Sequence, residues 1–205
     1  MAKQSIFDFT SKMNSFARPN LFEVSITPKE KVKINGHFKS RLVFNCFQAD
    51  IPGLSIATVD RDKSYRGIAY QKLYEDVTLG FYVNVDMKEI KFFQNWMEII
   101  VRPEDNHVGF YNDYVGTVEI KNLDRQQETV LTTKLHDAYP KSLSAVNLDY
   151  GTTDTVMTIS ITMTYRHYTQ EFVHWKDNDN DKEVMVDPNE FLKKQVAHLK
   201  TWQDK

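Results

Sequence analysis

Between Thr155 and Tyr168 the chain reads TVMTISITMTYRHY, and polar and apolar positions alternate along nearly all of it. Thr155, Met157, Ile159, Ile161, Met163 and Tyr165 fall on one side of an extended strand, and Val156, Thr158, Ser160, Thr162 and Thr164 on the other. The pattern predicts one long strand with an apolar face and a hydroxyl face. A hydroxyl face this long is neither a core nor the usual Lys/Glu solvent face; it suits the wet wall of something wide. Asp76 to Asp86 repeats the alternation, with Val77, Leu79, Phe81, Val83 and Val85 set against Asp76, Thr78, Gly80, Tyr82 and Asn84. On this reading Phe81, Met157, Ile159 and Ile161 are core.

Shorter runs add strands. Phe22, Val24 and Ile26 alternate with Glu23 and Ser25 until Pro28 ends the run. Arg41 to Ala49 is apolar on both faces, which predicts a buried strand that leaves through a turn at Ile51-Pro52-Gly53. Tyr114 to Ile120, Thr129 to His136 and Ala145 to Tyr150 read as further strands. The last of these forms a hairpin with 155–168 through a turn at 151–154. Two helices interrupt the β pattern. Met87 to Val101 places Ile90, Phe93, Met97 and Ile100 at helical spacing, with Asp86 as N-cap and Pro103 closing it. Pro188 to Trp202 carries Leu192, Val196 and Leu199 as its stripe, with Asp187 and Glu190 forming a capping box. The chain is therefore mainly β, with a β domain over 1–169 and an acidic linker and C-terminal helix over 170–205.

Composition narrows the function class. With 26 basic and 28 acidic residues the net charge is −2, which argues against a protein that grips nucleic acid through phosphate neutralisation. The opening MAKQSIFDF has no signal-peptide pattern, and no apolar run is long enough for a membrane span, so no membrane binding is expected. One cysteine, Cys46, leaves no internal disulfide framework and fits a reducing compartment. In a strand-like segment, Cys46 reads as a small buried hydrophobe rather than a nucleophile.

Candidate chemistry is thin. Asp179, Asp181, Glu183 and Glu190 fall at carboxylate positions of a twelve-residue calcium loop. Its sixth position is Val184 where glycine is needed, and Pro188 interrupts it, so the segment reads as an acidic tether. His136-Asp137 and His107 suggest an acid–base pair without a nucleophile beside them. No phosphate loop, metal spacing or nucleophile elbow is present, so no enzyme activity, cofactor or metal is expected. The aromatics instead cluster in Ser64 to Tyr74, with Tyr65, Arg66, Tyr70 and Tyr74, and again at Phe110, Tyr111 and Tyr114. Tyrosine and arginine favour interfaces, being apolar at one end and wet at the other. A hydrolase built on His136 and Asp137, or a monomeric module gripping a ligand with its aromatic loops, remain open alternatives.

The segment Phe16-Ala17-Arg18-Pro19-Asn20-Leu21-Phe22-Glu23-Val24 resembles the opening of tail tube proteins of contractile-tailed bacteriophages. Phe44 to Pro52, Leu135 to Tyr150 (with the aromatic-Pro step Tyr139-Pro140) and Thr155 to Tyr168 follow in that family's order. The resemblance spans roughly residues 16–168. It implies two packed antiparallel sheets with a flanking helix, in hexameric rings stacked into the inner tube of a virion tail. The implied partners are further copies of the chain, a sheath protein, baseplate and terminator proteins, and double-stranded DNA passing through the lumen. The implied location is the virion, with assembly in the host bacterial cytoplasm. A baseplate tube initiator, or the tube protein of a phage-like injection or secretion device, shares the fold. The departures are a lysine-rich insertion around Lys29 to Ser40 and the tail after Tyr168.

In that family each subunit gives four strands to a shared barrel. About 24 strands spaced ~4.8 Å and tilted about 40° close at a backbone diameter of roughly 48 Å. Side chains leave an opening of about 40 Å, wide enough for a DNA duplex of about 20 Å. Thr78, Asn84, Thr158, Ser160, Thr162 and Thr164 are then expected on the lumen. Phe16, Arg18, Tyr65, Arg66, Tyr70 and Tyr74 are expected at subunit contacts.

Overall fold

The computed structural model describes residues 16–29, 31–60, 67–146, 148–151 and 153–173. In chain order its elements are β1 (Phe22–Pro28), α1 (Gly36–Asn45), β2 (Cys46–Ala49), β3 (Leu54–Asp60), β4 (Gly67–Tyr74), β5 (Val77–Tyr82), α2 (Lys88–Ile100), α3 (Tyr111–Tyr114), β6 (Gly116–Leu123), β7 (Thr129–Leu143), β8 (Thr158–Thr164) and β9 (His167–Phe172). The expected C-terminal helix, the calcium-like segment, Tyr65 and Arg66 lie outside the described residues.

All strand pairs are antiparallel, and β7 belongs to two sheets. Its first half pairs with β6 and β9, and β6 in turn with β1. Its second half pairs with β8, followed by β5 and β2. The bend between the halves has a local cause. Asp137 sits at φ 53°, and the pairing with β6 slips there, from Val118↔Leu135 to Gly116↔Ala138. His136 and Asp137 thus oppose Thr117 alone, a bulge that kinks the strand.

The partner strand bends at the same level. Tyr139 pairs with Thr164 and His136 with His167, so β8 and β9 follow one edge of β7 with Tyr165 and Arg166 at the kink. The run 155–168 is therefore not one straight strand. It begins at Thr158, turns at Tyr165-Arg166, and continues to Phe172, three residues beyond the predicted domain boundary.

From Thr158 to Met163 and Val77 to Phe81 the alternation separates core from surface, whereas Met157, expected in the core, is only half-buried ahead of β8. Val77, Leu79, Phe81, Ile159, Ile161 and Met163 of the second sheet are buried together with Val24, Ile26, Val118, Ile120 and Leu135 of the first. Phe92, Phe93 and Trp96 of α2 join the same cluster, with the Phe93 ring 5.4 Å from that of Phe81. Each such side chain contributes about 1.5–3 kcal/mol by leaving water. Trp96 also donates its indole N–H to the Tyr114 carbonyl at 2.7 Å, tying α2 to α3.

Several expectations need correction. Arg41 to Ala49 is not one strand: the chain is helical to Asn45 and extended only from Cys46. Its apolar residues are not all inward, since Phe44 is 88% exposed while Leu42 and Asn45 are buried. The inward side of α1 mixes apolar and polar chemistry: Leu42 joins the core, while Arg41 and Asn45, one turn apart, both reach Glu89. Asp86 does not occupy the N-cap position of α2; Met87 does, at φ 49° with no side-chain cap, and Asp86 accepts only a long bond from the Lys88 N–H at 3.5 Å. The Asp86 carboxylate is instead engaged by Arg41 and Lys88.

The buried side of α2 is Glu89, Phe92, Phe93 and Trp96 rather than the stripe through Met97, because a buried acid is invisible to hydrophobic spacing. Tyr114 closes a helical turn instead of opening a strand. Among its described residues the stretch 145–150 forms no strand, and β7 itself, running through Pro140 to Leu143, supplies the pairing with β8. Val85 lies past the end of β5 and is exposed.

Candidate assembly interface

The second sheet runs β7–β8–β5–β2, four strands wide. Among the described residues, no further strand pairs with the outer edge of β2 or with the second half of β7 opposite β8. Its face away from the core carries the predicted hydroxyls in register. Ser142, Thr162 and Thr78 stand in one cross-strand row, and Ser160, Gly80 and Gln48 in the next. Thr158 faces Tyr82, and Thr164 faces Tyr139. Lys141 donates to Asp76 at 2.6 Å. The lysine and the Thr164 hydroxyl hold the Asp76 carboxyl below its ordinary value against the opposing effect of burial. The same bond raises the Lys141 ammonium, and the two charges cancel.

Asn84 is the exception among the predicted wall residues. It lies beyond β5, where its backbone N–H and side-chain amide both donate to Glu89, at 3.3 and 3.2 Å. Pattern reading also missed an aromatic pair on the hydroxyl face. Phe47 is the extra residue in the β2–β5 register shift, and its ring lies 4.7 Å from that of Tyr82. A Cβ on Gly80 would stand 2.8 Å from the Phe47 ring, so only glycine lets the ring lie there.

β3 and β4 form a separate two-stranded hairpin, and every residue of β4 is exposed. Its register sets Leu54 beside Tyr74 and Ile56 beside Lys72 on one side, and Ser55 beside Leu73 and Val59 beside Ile68 on the other. Apolar side chains therefore stand on both faces: Ile56 is 58% exposed and Ile68 50%. Tyr70 lies at the register shift and is 65% exposed. Tyr74 anchors the hairpin root, its ring 5.6 Å from Tyr168 and 6.1 Å from Tyr165. Tyr165 donates its hydroxyl to the Glu75 carbonyl at 2.8 Å, and burial pushes its pKa up to about 12. Phe16 and Arg18 are exposed at the start of the described chain, where the Arg18 carbonyl closes a turn with Leu21.

The structure places Tyr70 and Tyr74 on one hairpin, and Thr78, Thr158, Ser160, Thr162 and Thr164 on one face. The signal for β3 was present in Leu54 to Asp60, but with apolar residues on both faces it offered no inward side.

The acid–base candidates have structural partners. His136 stacks on His167 with ring centroids 4.6 Å apart, and its Nε2 lies 3.0 Å from the Thr169 hydroxyl. Burial, His167 and Lys134 lower its pKa against the opposing effect of Asp137. Asp137 pairs loosely with Arg166 at 3.8 Å. The Cys46 thiol lies 3.4 Å from the Gln48 carbonyl, and burial pushes it up to about 12, the opposite of an activated nucleophile. The His107 N–H closes a turn on the Asp105 carboxylate.

Comparison with curated proteins finds no match. Among solved structures, the fold resembles a chain from the PVC sheath–tube complex of an extracellular contractile injection system in its extended state. The TM-score is 0.55 at 17% identity, over 83% of this chain and 100% of that one. A chain of the anti-feeding prophage cap, which terminates the tube, gives 0.55 at 15% identity over 84% and 95%. A chain of the six-fold symmetrised anti-feeding prophage baseplate gives 0.52 at 17% identity over 79% and 99%. At these identities the likeness establishes the fold. The phage tail tube protein family matches residues 17–171, through both sheets and α2 and nearly to the end of β9, and the chain belongs to that family.

Proposed function

We propose that the chain is a non-catalytic structural subunit that closes into hexameric rings, stacked to form the inner tube of a contractile tail. The observation that carries this is the four-stranded sheet with two open edges and a hydroxyl face. Exposed edges of a sheet are a liability, and joining the β2 edge of one copy to the β7 edge of the next removes both. A closed ring then turns every hydroxyl face inward. Thr78, Thr158, Ser160, Thr162 and Thr164, with the self-neutralised Lys141–Asp76 pair, give a wall without net positive charge, so double-stranded DNA slides along it rather than being held.

The β3–β4 hairpin, with Tyr70 and Tyr74, reaches a neighbouring subunit and buries there the apolar side chains its own subunit leaves wet. Ring stacking uses two different surfaces and is open-ended, which makes a tube. The natural partners are a sheath outside, a baseplate at one end and a terminator at the other. They follow from the family and from neighbours that come from a sheath–tube complex, a tube cap and a baseplate. The protein resides in the virion tail and assembles in the host bacterial cytoplasm. Those neighbours also favour a second reading, the tube protein of a phage-like injection device; a baseplate initiator forms rings that stop.

Electron microscopy of the purified chain tests the assembly. Tubes are expected, and discrete rings would point to the initiator. The Ile56→Glu/Tyr70→Glu variant is expected to keep the wild-type circular dichroism spectrum and form no tubes. A wild-type chain that stays monomeric at high concentration would overturn the proposal.

A further inference from the structure

The lysine-rich stretch before α1 shapes a distinct feature. With α1 it forms one wall of a groove of about 450 Å³, and α2 forms the other. Lys33 and His37 face the groove from the first wall, Lys88 and Lys91 from the second, and Phe38 and Phe92 supply its apolar lining. The two rings meet edge to face at 5.5 Å. Asn35 and Asn95 add amides able both to donate to and accept from a peptide backbone.

The charges of this groove are unbalanced for a structural reason. Two carboxylates lie nearby, Asp86 and Glu89, and both are already engaged. Glu89, fully buried, accepts from Arg41 Nε at 2.8 Å, from Asn45 at 2.9 Å and from Asn84. Asp86 accepts from Arg41 and pairs with Lys88 at 3.0 Å. Four basic groups (Lys33, Arg41, Lys88, Lys91) thus face two carboxylates, and Lys33 and Lys91 have no carboxylate within ion-pair distance among the described residues. This local excess of positive charge sits on a chain whose net charge is −2.

We propose that the groove between α1 and α2 docks an acidic segment of a protein partner, one in which Asp or Glu residues flank an aromatic or aliphatic side chain. The apolar group would lie against Phe38 and Phe92, the carboxylates would meet Lys33 and Lys91, and the asparagines would bond the backbone. Unpaired lysines beside an apolar lining are complementary to such a segment, and complementarity of charge supplies specificity and on-rate. A protein fits better than nucleic acid. The rings of Phe38 and Phe92 meet each other edge to face rather than offering an open platform for bases, and α2 covers the core side of the second sheet, away from its hydroxyl face. The inference needs no ring or tube and is tested on the dispersed chain.

The probe is a fluorescein-labelled twelve-residue peptide of glutamates around one central phenylalanine, titrated with the full-length protein and followed by anisotropy. Binding is expected to weaken as ionic strength rises from about 0.05 to about 0.3 M. Lys33→Glu/Lys91→Glu should weaken it about tenfold or more, while Arg102→Glu/Arg125→Glu, with the same change in net charge, should shift it less than about twofold. All four reversed residues are exposed, so circular dichroism should show both variants folded. No binding by the wild type, or equal loss in the two variants, would overturn the assignment. So would tighter binding of a twelve-nucleotide single strand that is lost in Lys33→Glu/Lys91→Glu, which would make the groove a nucleic-acid site.

Discussion

The β8–β5 ladder and the β3–β4 hairpin are both antiparallel, both rich in β-branched and aromatic residues, and opposite in burial. In the ladder Ile161, Leu79 and Met163 have no exposed surface; in the hairpin Leu54, Ile56, Val59, Ile68 and Leu73 are all 44–58% exposed. The difference lies in how the residues are distributed. The ladder puts its apolar side chains on one face and hydroxyls on the other, so a single subunit can satisfy it. The hairpin puts apolar groups on both faces, which no single layer of core can cover. An isolated two-stranded hairpin is marginal in water. This one is tied down at its root by Tyr74 against Tyr165 and Tyr168, and the rest leaves its apolar side chains exposed, as the proposed contact with a neighbouring subunit requires.

The strongest test of the contrast places the same charge in both regions. Ile161→Asp puts an unpaired carboxylate in a fully buried position and is expected to cost about 5 kcal/mol or more, enough to abolish folding of a domain of ordinary stability. Ile56→Asp should stay within about 1 kcal/mol in urea melts of the unassembled chain. Equal destabilisation by the two would show that the hairpin is core after all.

How far the sequence carried the fold follows from the same contrast. Period-two alternation with one apolar face was legible, so β5 and β8 and their inward residues could be assigned. The kink was not, because it depends on Asp137 adopting a positive φ opposite Thr117, and no side-chain pattern encodes that. α1 was misread because Arg41, Asn45 and Glu89 hold it by hydrogen bonds across a long sequence separation while Phe44 points outward. In the candidate interface, the hydroxyl wall and the tyrosines were legible as residue types. The open edges of the second sheet and the Phe47–Tyr82 pair depend on topology and on a bulge, which single residues do not announce.

The packed region also has one polar dependence that the hairpin lacks. Arg41→Ala leaves the Glu89 carboxylate buried with only amide and backbone donors and is expected to cost about 3–5 kcal/mol. Burial pushes the Glu89 carboxyl up, and the Arg41 bond followed by backbone N–H donors outweighs it, so its folded pKa lies below the usual glutamate value. That contribution to stability is present above the ordinary glutamate pKa and is lost as pH falls through the lower folded value. In Arg41→Ala, burial dominates and acid unfolding should begin at higher pH. An unchanged acid transition would remove Arg41 from this role.

A smaller pH effect belongs at the kink between the sheets. His136 is held below its ordinary pKa by burial, by the stacked His167 and by Lys134, with Asp137 opposing and Arg166 nearby. The unfolded chain then binds more protons in the window below the ordinary histidine value, so stability rises with pH across it. His136→Asn should flatten the slope between about pH 5 and 7, by less than about 1 kcal/mol because the ring is partly exposed. A slope identical to wild type would assign the window to other groups.

The smallest expected effect on folding separates the hydroxyl face from the core most sharply. Thr162 stands between Thr78 and Ser142 at the centre of that face and is half-buried, one residue from the fully buried Ile161. Thr162→Val keeps the shape and the β preference while removing one hydroxyl with no required partner, so stability should move within about 0.5 kcal/mol. Thr162→Lys should fold nearly as well, because its long side chain extends away from the core. In an assembled tube, however, each ring gains six positive charges on its inner wall, and the contact with a DNA duplex becomes attractive and salt-sensitive. Tubes of Thr162→Lys should therefore retain added DNA fragments at low ionic strength and release them as salt rises, while Thr162→Val tubes should not. Unfolding of the Thr162→Lys monomer would place this position in the core, and tubes that ignore DNA would place the hydroxyl face somewhere other than the lumen.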